Sequence, residues 1–111
     1  MADNITISVD SEPYSSLDIN LDGAEYTITT RWNFTESAWY MDLYSVEQAV
    51  MLVRGIKLVL GEDLLKPYAL VELGEMFVVD TKEGDKDPTE ESLGDRHQLF
   101  YVLKENRGTF I

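Results

Sequence analysis

Residues 17–44 read LDINLDGAEYTITTRWNFTESAWYMDLY, and their periodicity decides the fold class. Leu17, Ile19 and Leu21 alternate with Asp18 and Asn20, the two-residue period of a strand with one wet face. Asp22-Gly23 follows. Asp-Gly between alternating segments marks a two-residue hairpin turn, because both central positions need positive φ. Beyond it, Tyr26, Ile28, Thr30, Trp32 and Phe34 fall on one face, and Glu25, Thr27, Thr29, Arg31 and Asn33 on the other. Thr35-Glu36-Ser37 turns the chain, and Trp39, Met41 and Leu43 then alternate with Tyr40, Asp42 and Tyr44. Core packing is expected for Trp32, Phe34 and Trp39, where cross-strand aromatic pairs contribute about 0.2–1 kcal/mol each. Tyr40 and Tyr44 lie on the opposite face of their strand and are interface candidates.

Working outward from these hairpins, Ile5, Ile7 and Val9 alternate in a first strand that Ser11-Glu12-Pro13 breaks. On the other side, Ser45–Arg54 admits two readings. Ser45 and Gln48 can form a capping box, with Gly55 ending a short helix. The β-branched run Val50–Val53 and Ile56–Leu60 favours instead a hairpin turn near Val46–Ala49 and a long strand from Val50 to Leu60. Gly55 then marks a bulge or bend. Glu62–Tyr68 reads as a short helical turn or structured loop containing Pro67, and Met76–Val79 as a strand. Asp87-Pro88-Thr89-Glu90 carries a local helix start that Gly94 would stop. Leu99, Tyr101 and Leu103 alternate in a last strand. The sum is an all-β chain: a small antiparallel β-barrel or sandwich of about seven strands with one or two short helical turns. It reads as a single β-domain over 1–111, with 1–12 and 105–111 as extended arms.

A chain of 111 residues suits one domain, and burying roughly two-thirds of its unfolded surface leaves little room for a deep cleft. There are no cysteines, which removes disulfides, thiolate metal sites and cysteine nucleophiles together and fits a reducing compartment. No apolar run approaches the ~20 residues of a membrane span, and the first residues carry no leader pattern. The net charge is −12, and the first 30 residues hold six acids and no Lys or Arg. That balance disfavours nucleic-acid phosphates and anionic lipid, and it is compatible with docking on a basic protein surface.

The search for chemistry finds little. The one histidine, His97, sits at a loop-to-strand boundary and reads as a surface residue. Asp80, Glu83, Asp85 and Asp87 cluster, but Lys82 and Lys86 interrupt them and the order is not that of an EF-hand, so a solvated acidic loop is the reading. No phosphate loop is present. No catalytic, cofactor-binding or metal-binding residue is assigned, and no cofactor is expected. Leu64, Leu65 and Tyr68 form an apolar loop that either closes one end of the fold or docks in a partner's groove. Phe110 and Ile111 raise the same question at the chain end. With Tyr40 and Tyr44 they complete the interface candidates.

Four segments in order carry a resemblance: Phe34 with Trp39–Leu43; Gly55–Val59 with Gly61–Leu65, Pro67 and Tyr68; Leu73–Val79; and Asp87-Pro88-Thr89 with Leu93-Gly94 and Leu99–Val102. Over about residues 26 to 103 they resemble the family of the cyanophage baseplate plug, small baseplate proteins of contractile-tailed bacteriophages. The Ser45–Ala49 turn lacks the Asn and Gly of the family's hairpin. The resemblance implies a non-enzymatic structural part of the virion, plug-like or hub-associated, assembled in the host cytoplasm. It also implies a three-fold or six-fold setting, with hub, tail tube or wedge proteins and further copies of the chain as partners. Direct nucleic-acid binding and a membrane span are not expected. The alternative is a cytoplasmic β-module that binds a small molecule, sugar or protein through its Trp/Tyr surface.

Overall fold

The computed structural model describes residues 5–68 and 73–106. Seven strands form: β1 (Ile5–Ile7), β2 (Tyr14–Leu21), β3 (Ala24–Asn33), β4 (Ala38–Ser45), β5 (Val50–Lys57), β6 (Glu75–Asp80) and β7 (His97–Val102). They make two antiparallel sheets, a four-stranded meander in the order β2-β3-β4-β5 and a three-stranded sheet in the order β1-β7-β6. The sheets do not close on one another, so of the two architectures the sequence allows, the open one forms and the barrel does not. Among the described residues the helical content is two 3₁₀ turns, Lys66–Tyr68 and Lys104–Asn106.

The β2–β3 turn has the conformation that Asp22-Gly23 demands, with φ of 53° and 87°. β2 begins three residues before the apolar alternation does. Its start is held by polar pairs: Ser15 Oγ against Thr30 Oγ1 at 3.2 Å, and Ser16 Oγ against Thr29 Oγ1 at 2.9 Å. At the other end of β3, the Asn33 side chain accepts the Thr35 and Glu36 amides at 2.9 and 3.0 Å, which starts the turn into β4.

Ser45–Arg54 resolves as a hairpin. The Gln48 amide donates to Ser45 Oγ at 3.2 Å, as in a helix cap, but Ala49 takes φ 54° and the chain turns back into β5. The bulge expected at Gly55 is present. Between the pairs Met41↔Ile56 and Leu43↔Val53, Asp42 alone opposes Arg54 and Gly55. A second irregularity follows between Leu43↔Val53 and Tyr44↔Met51. Gly55 has φ 74°, a conformation that costs a β-carbon dearly. Asp42 pins it, accepting the Gly55 amide at 2.8 Å and the Arg31 guanidinium at 3.1 Å. β5 stops at Lys57, short of the expected Leu60, because the chain then crosses to the other sheet. The Leu58 amide still reaches Trp39 O, but Leu60 bridges to Val78, and the Gly61 and Leu64 amides bond Val78 O and Met76 O on the edge of β6.

One apolar core lies between the sheets. Leu21, Ile28, Trp39, Met41 and Leu43 come from the meander and Ile7, Met76, Val78, Leu99 and Tyr101 from the three-stranded sheet, all fully buried. Two side chains stitch the layers together. Trp39 Nε1 donates to Thr89 O at 2.7 Å. The Tyr101 hydroxyl donates to the Asp22 carboxylate in the β2–β3 turn and accepts the Gly74 amide at 2.6 Å. Gly74 is required there on steric grounds, since a Cβ would sit 1.9 Å from Val102 O.

Two sequence expectations fail in this architecture. Phe34 is not core: it lies past the end of β3, 67% exposed, edge-on to Trp32 at 6.5 Å. No helix starts at Asp87. Its carboxylate accepts the Leu60 amide at 2.9 Å instead of capping its own segment, and Pro88 is buried. A tertiary hydrogen bond has taken the cap residue.

Candidate functional site

The register of the meander assembles a continuous surface on its outer face. Tyr14 pairs with Arg31, Arg31 with Tyr40, and Tyr40 with Lys57, so the four side chains form one row across all four strands. A parallel row runs Asp18–Thr27–Tyr44–Met51. The sequence candidates Tyr40 and Tyr44 are thus on one face, both half-buried, four residues apart on β4. Between the rows lie Ser16, Thr29 and the Asp42-pinned bulge.

Arg31 lies 5.9 Å from the Tyr40 ring centre, a cation–π distance, while it also bonds Asp42. The Tyr40 hydroxyl donates to Glu36, and that hydrogen bond is the main reason its phenol is pushed above its ordinary pKa. Both contacts hold long side chains in one orientation, which lowers the entropy lost when a partner docks on them. Lys57 and Arg54 are exposed on the adjoining strand. Three of the nine basic residues of a chain with net charge −12, Arg31, Arg54 and Lys57, therefore sit on β3 and β5.

Sequence reading missed Tyr14, which is 70% exposed at the head of this row. The period-two series Tyr14, Ser16, Asp18, Asn20 was the signal for it, but it contains one apolar ring and reads as loop without its strand partner. The loop candidates divide. Leu64 and Leu65 are 5% and 3% exposed and belong to the core, so in this chain they face inward and not toward a partner's groove. Tyr68 is 41% exposed. Beside it an open cleft of about 600 Å³ is lined by Gly61, Glu62, Asp63, Lys66, Pro67, Glu75 and Phe77. The Asp63 carboxylate that borders the cleft is already engaged by the Leu65 and Met76 amides, each at 3.1 Å. Phe110 and Ile111 lie outside the described residues.

His97 is 2% exposed, which corrects its reading as a surface residue. It is the first residue of β7, at the loop-to-strand boundary as expected, and both ring nitrogens are engaged: Nδ1 with Ser92 Oγ at 2.8 Å and Nε2 with Lys86 O at 2.9 Å. A carbonyl only accepts, so Nε2 carries a proton. The acidic loop is organised around Asp80, whose carboxylate takes two bonds from Arg96 at 2.8 Å and two from the Lys82 and Gly84 amides. The bonded guanidinium holds the Asp80 carboxyl well below the usual carboxylate range. Among the described residues no three His, Cys, Asp or Glu side chains are grouped to hold a metal ion, and no helix is long and apolar enough to cross a membrane.

No curated protein matches the chain. A family model described as cyanophage baseplate Pam3 plug gp18 matches residues 2–105, wider than the stretch in which the sequence alone carried a resemblance. With nearly its whole length matched, from before β1 to beyond β7, the chain belongs to this family of phage baseplate plugs, whose role is structural.

Proposed function

We propose that the protein is a non-enzymatic part of the centre of a contractile phage tail baseplate, binding the hub or the end of the tail tube. The family match over residues 2–105 carries this reading. In support, the meander's outer face offers the row Tyr14–Arg31–Tyr40–Lys57, whose two tyrosines and arginine are of the kind enriched at interface centres. Tyr44 and Tyr68 extend the proposed contact. Assembly takes place in the host cytoplasm, where the newly made partners meet.

Mass spectrometry of purified virions, followed by pull-down of the purified chain with recombinant hub and tail-tube proteins of the same phage, tests the proposal. The chain is expected in the particle and on one of those two proteins. Absence from purified virions would sink it. The sugar- or small-molecule reading loses one ring of its Trp/Tyr surface, because Trp39 is fully buried with its Nε1 committed to Thr89.

A further inference from the structure

The two sheets have four edges, and three of them are blunted in the ways proteins use to prevent strand addition. β5 is broken by two register shifts. β6 is covered by the Leu60–Leu64 connector through backbone bonds to Val78 and Met76. β1 is three residues long. β2 differs from all of these: eight residues, paired with β3 without a shift from Tyr14 to Leu21, and free of Lys and internal Pro. The Trp32 amide bonds Pro13 O at 2.8 Å, which fixes the phase of the ladder. Ser15, Leu17, Ile19 and Leu21 turn their backbone groups to β3, and Tyr14, Ser16, Asp18 and Asn20 turn theirs outward. Among the described residues no backbone hydrogen bond reaches that outer side.

We infer that β2 is the docking edge for an extended segment of another baseplate protein, which adds to the meander as a fifth strand. This rests on the baseplate reading and specifies its contact. The side chains define the segment. Leu17 and Ile19 pack against the core yet remain half-exposed on the inner side of the edge, so the added strand places apolar residues beside them. On the outer side, Asp18 is exposed on β2 with Glu25 beside it on β3, and no Lys or Arg occurs in residues 1–30. The partner strand therefore alternates apolar residues with Lys or Arg. A second copy of this chain is the wrong occupant, because antiparallel pairing of two β2 strands sets two Asp18-bearing strands side by side with no Lys or Arg on either.

The test is residue-resolved amide hydrogen exchange on the wild-type chain, alone and with recombinant hub, tail-tube and wedge proteins of the same phage added one at a time. In the complex, the amides of Tyr14, Ser16, Asp18 and Asn20 are expected to gain at least about tenfold protection, in alternation with Ser15, Leu17 and Ile19, which β3 already protects. Ser16→Pro removes an outward N–H together with the Ser16 Oγ–Thr29 Oγ1 bond, which Ser16→Ala removes alone, so against Ser16→Ala it should keep Tm and weaken binding by at least about tenfold. A complex that forms without the alternating protection, or that Ser16→Pro leaves intact, overturns the edge inference while the baseplate reading stands. A wild-type homodimer that Ser16→Pro dissolves overturns the choice of partner. If no component binds although the protein is found in virions, the edge inference alone falls; if the protein is absent from virions, both fall.

Discussion

The Asp80 carboxylate is saturated by Arg96 and two backbone amides, and its depressed pKa makes it a source of acid sensitivity. A carboxylate whose folded pKa lies below its unfolded value, about 3.9, stabilises fully above that value and loses its contribution as pH falls toward the folded pKa. Asp80→Asn is therefore expected to lower Tm at pH 7, with the gap to wild type narrowing below about pH 4; a gap independent of pH would refute the assignment. Tyr101 poses the complementary case. Burial, then the bond to Asp22, pushes its phenol far above the ordinary value. Tyr101→Phe leaves the Gly74 amide without its acceptor and should cost about 1–3 kcal/mol in urea unfolding, with an unchanged m-value.

At the scale of the element, the β4–β5 hairpin is held by a single carboxylate at its weakest point. Asp42 accepts both the Gly55 amide and the Arg31 guanidinium, so it joins the bulge to the middle of the sheet. Asp42→Ala removes the one acceptor of both bonds and is expected to destabilise by about 1–3 kcal/mol. It should also raise exchange at the Gly55 amide ahead of the β2–β3 amides, which hydrogen-exchange NMR reads directly. Uniform loss of protection across the sheet would mean that the bulge is not a local unit. Strand stops were poorly legible from sequence for a related reason. Val50–Leu60 is apolar apart from Arg54, Gly55 and Lys57, and nothing in its composition says that Lys57 ends one sheet and Leu60 touches the other.

The whole molecule depends on two thin layers sharing one core, since Ile28, Trp39 and Met41 from one sheet and Ile7, Leu99 and Tyr101 from the other are all fully buried in it. Among the described residues neither sheet has a second apolar partner. Unfolding is therefore expected to be a single transition, with far-UV circular dichroism and tryptophan fluorescence coincident in denaturant. Two separated transitions would show that the three-stranded sheet melts on its own. On the outside, the Tyr14–Arg31–Tyr40–Lys57 row bears no core contact that Lys57 supplies, so Lys57→Glu should leave Tm nearly unchanged. In a binding assay with hub or tube protein, the same variant should lower affinity by about tenfold.

By itself the sequence determined the all-β class, the Asp22-Gly23 turn, the faces of β3 and β4, the Gly55 bulge and the placement of Tyr40 and Tyr44 on one outward face. Each follows from a local cause: a period of two, or a backbone angle that only certain residues accept. The segments it carried also pointed to the baseplate plug family. Tertiary structure decided the rest, because the causes lie far apart in the chain. Phe34 is exposed since β3 ends one residue earlier, His97 is buried by Ser92 and Lys86, and Asp87 serves Leu60 and not its own helix start. Leu64 and Leu65 face inward because their loop lies along the edge of β6. The open edge of β2 is of the same kind. Among the described residues nothing pairs with its outer side, and only the arrangement of the strands supplies that.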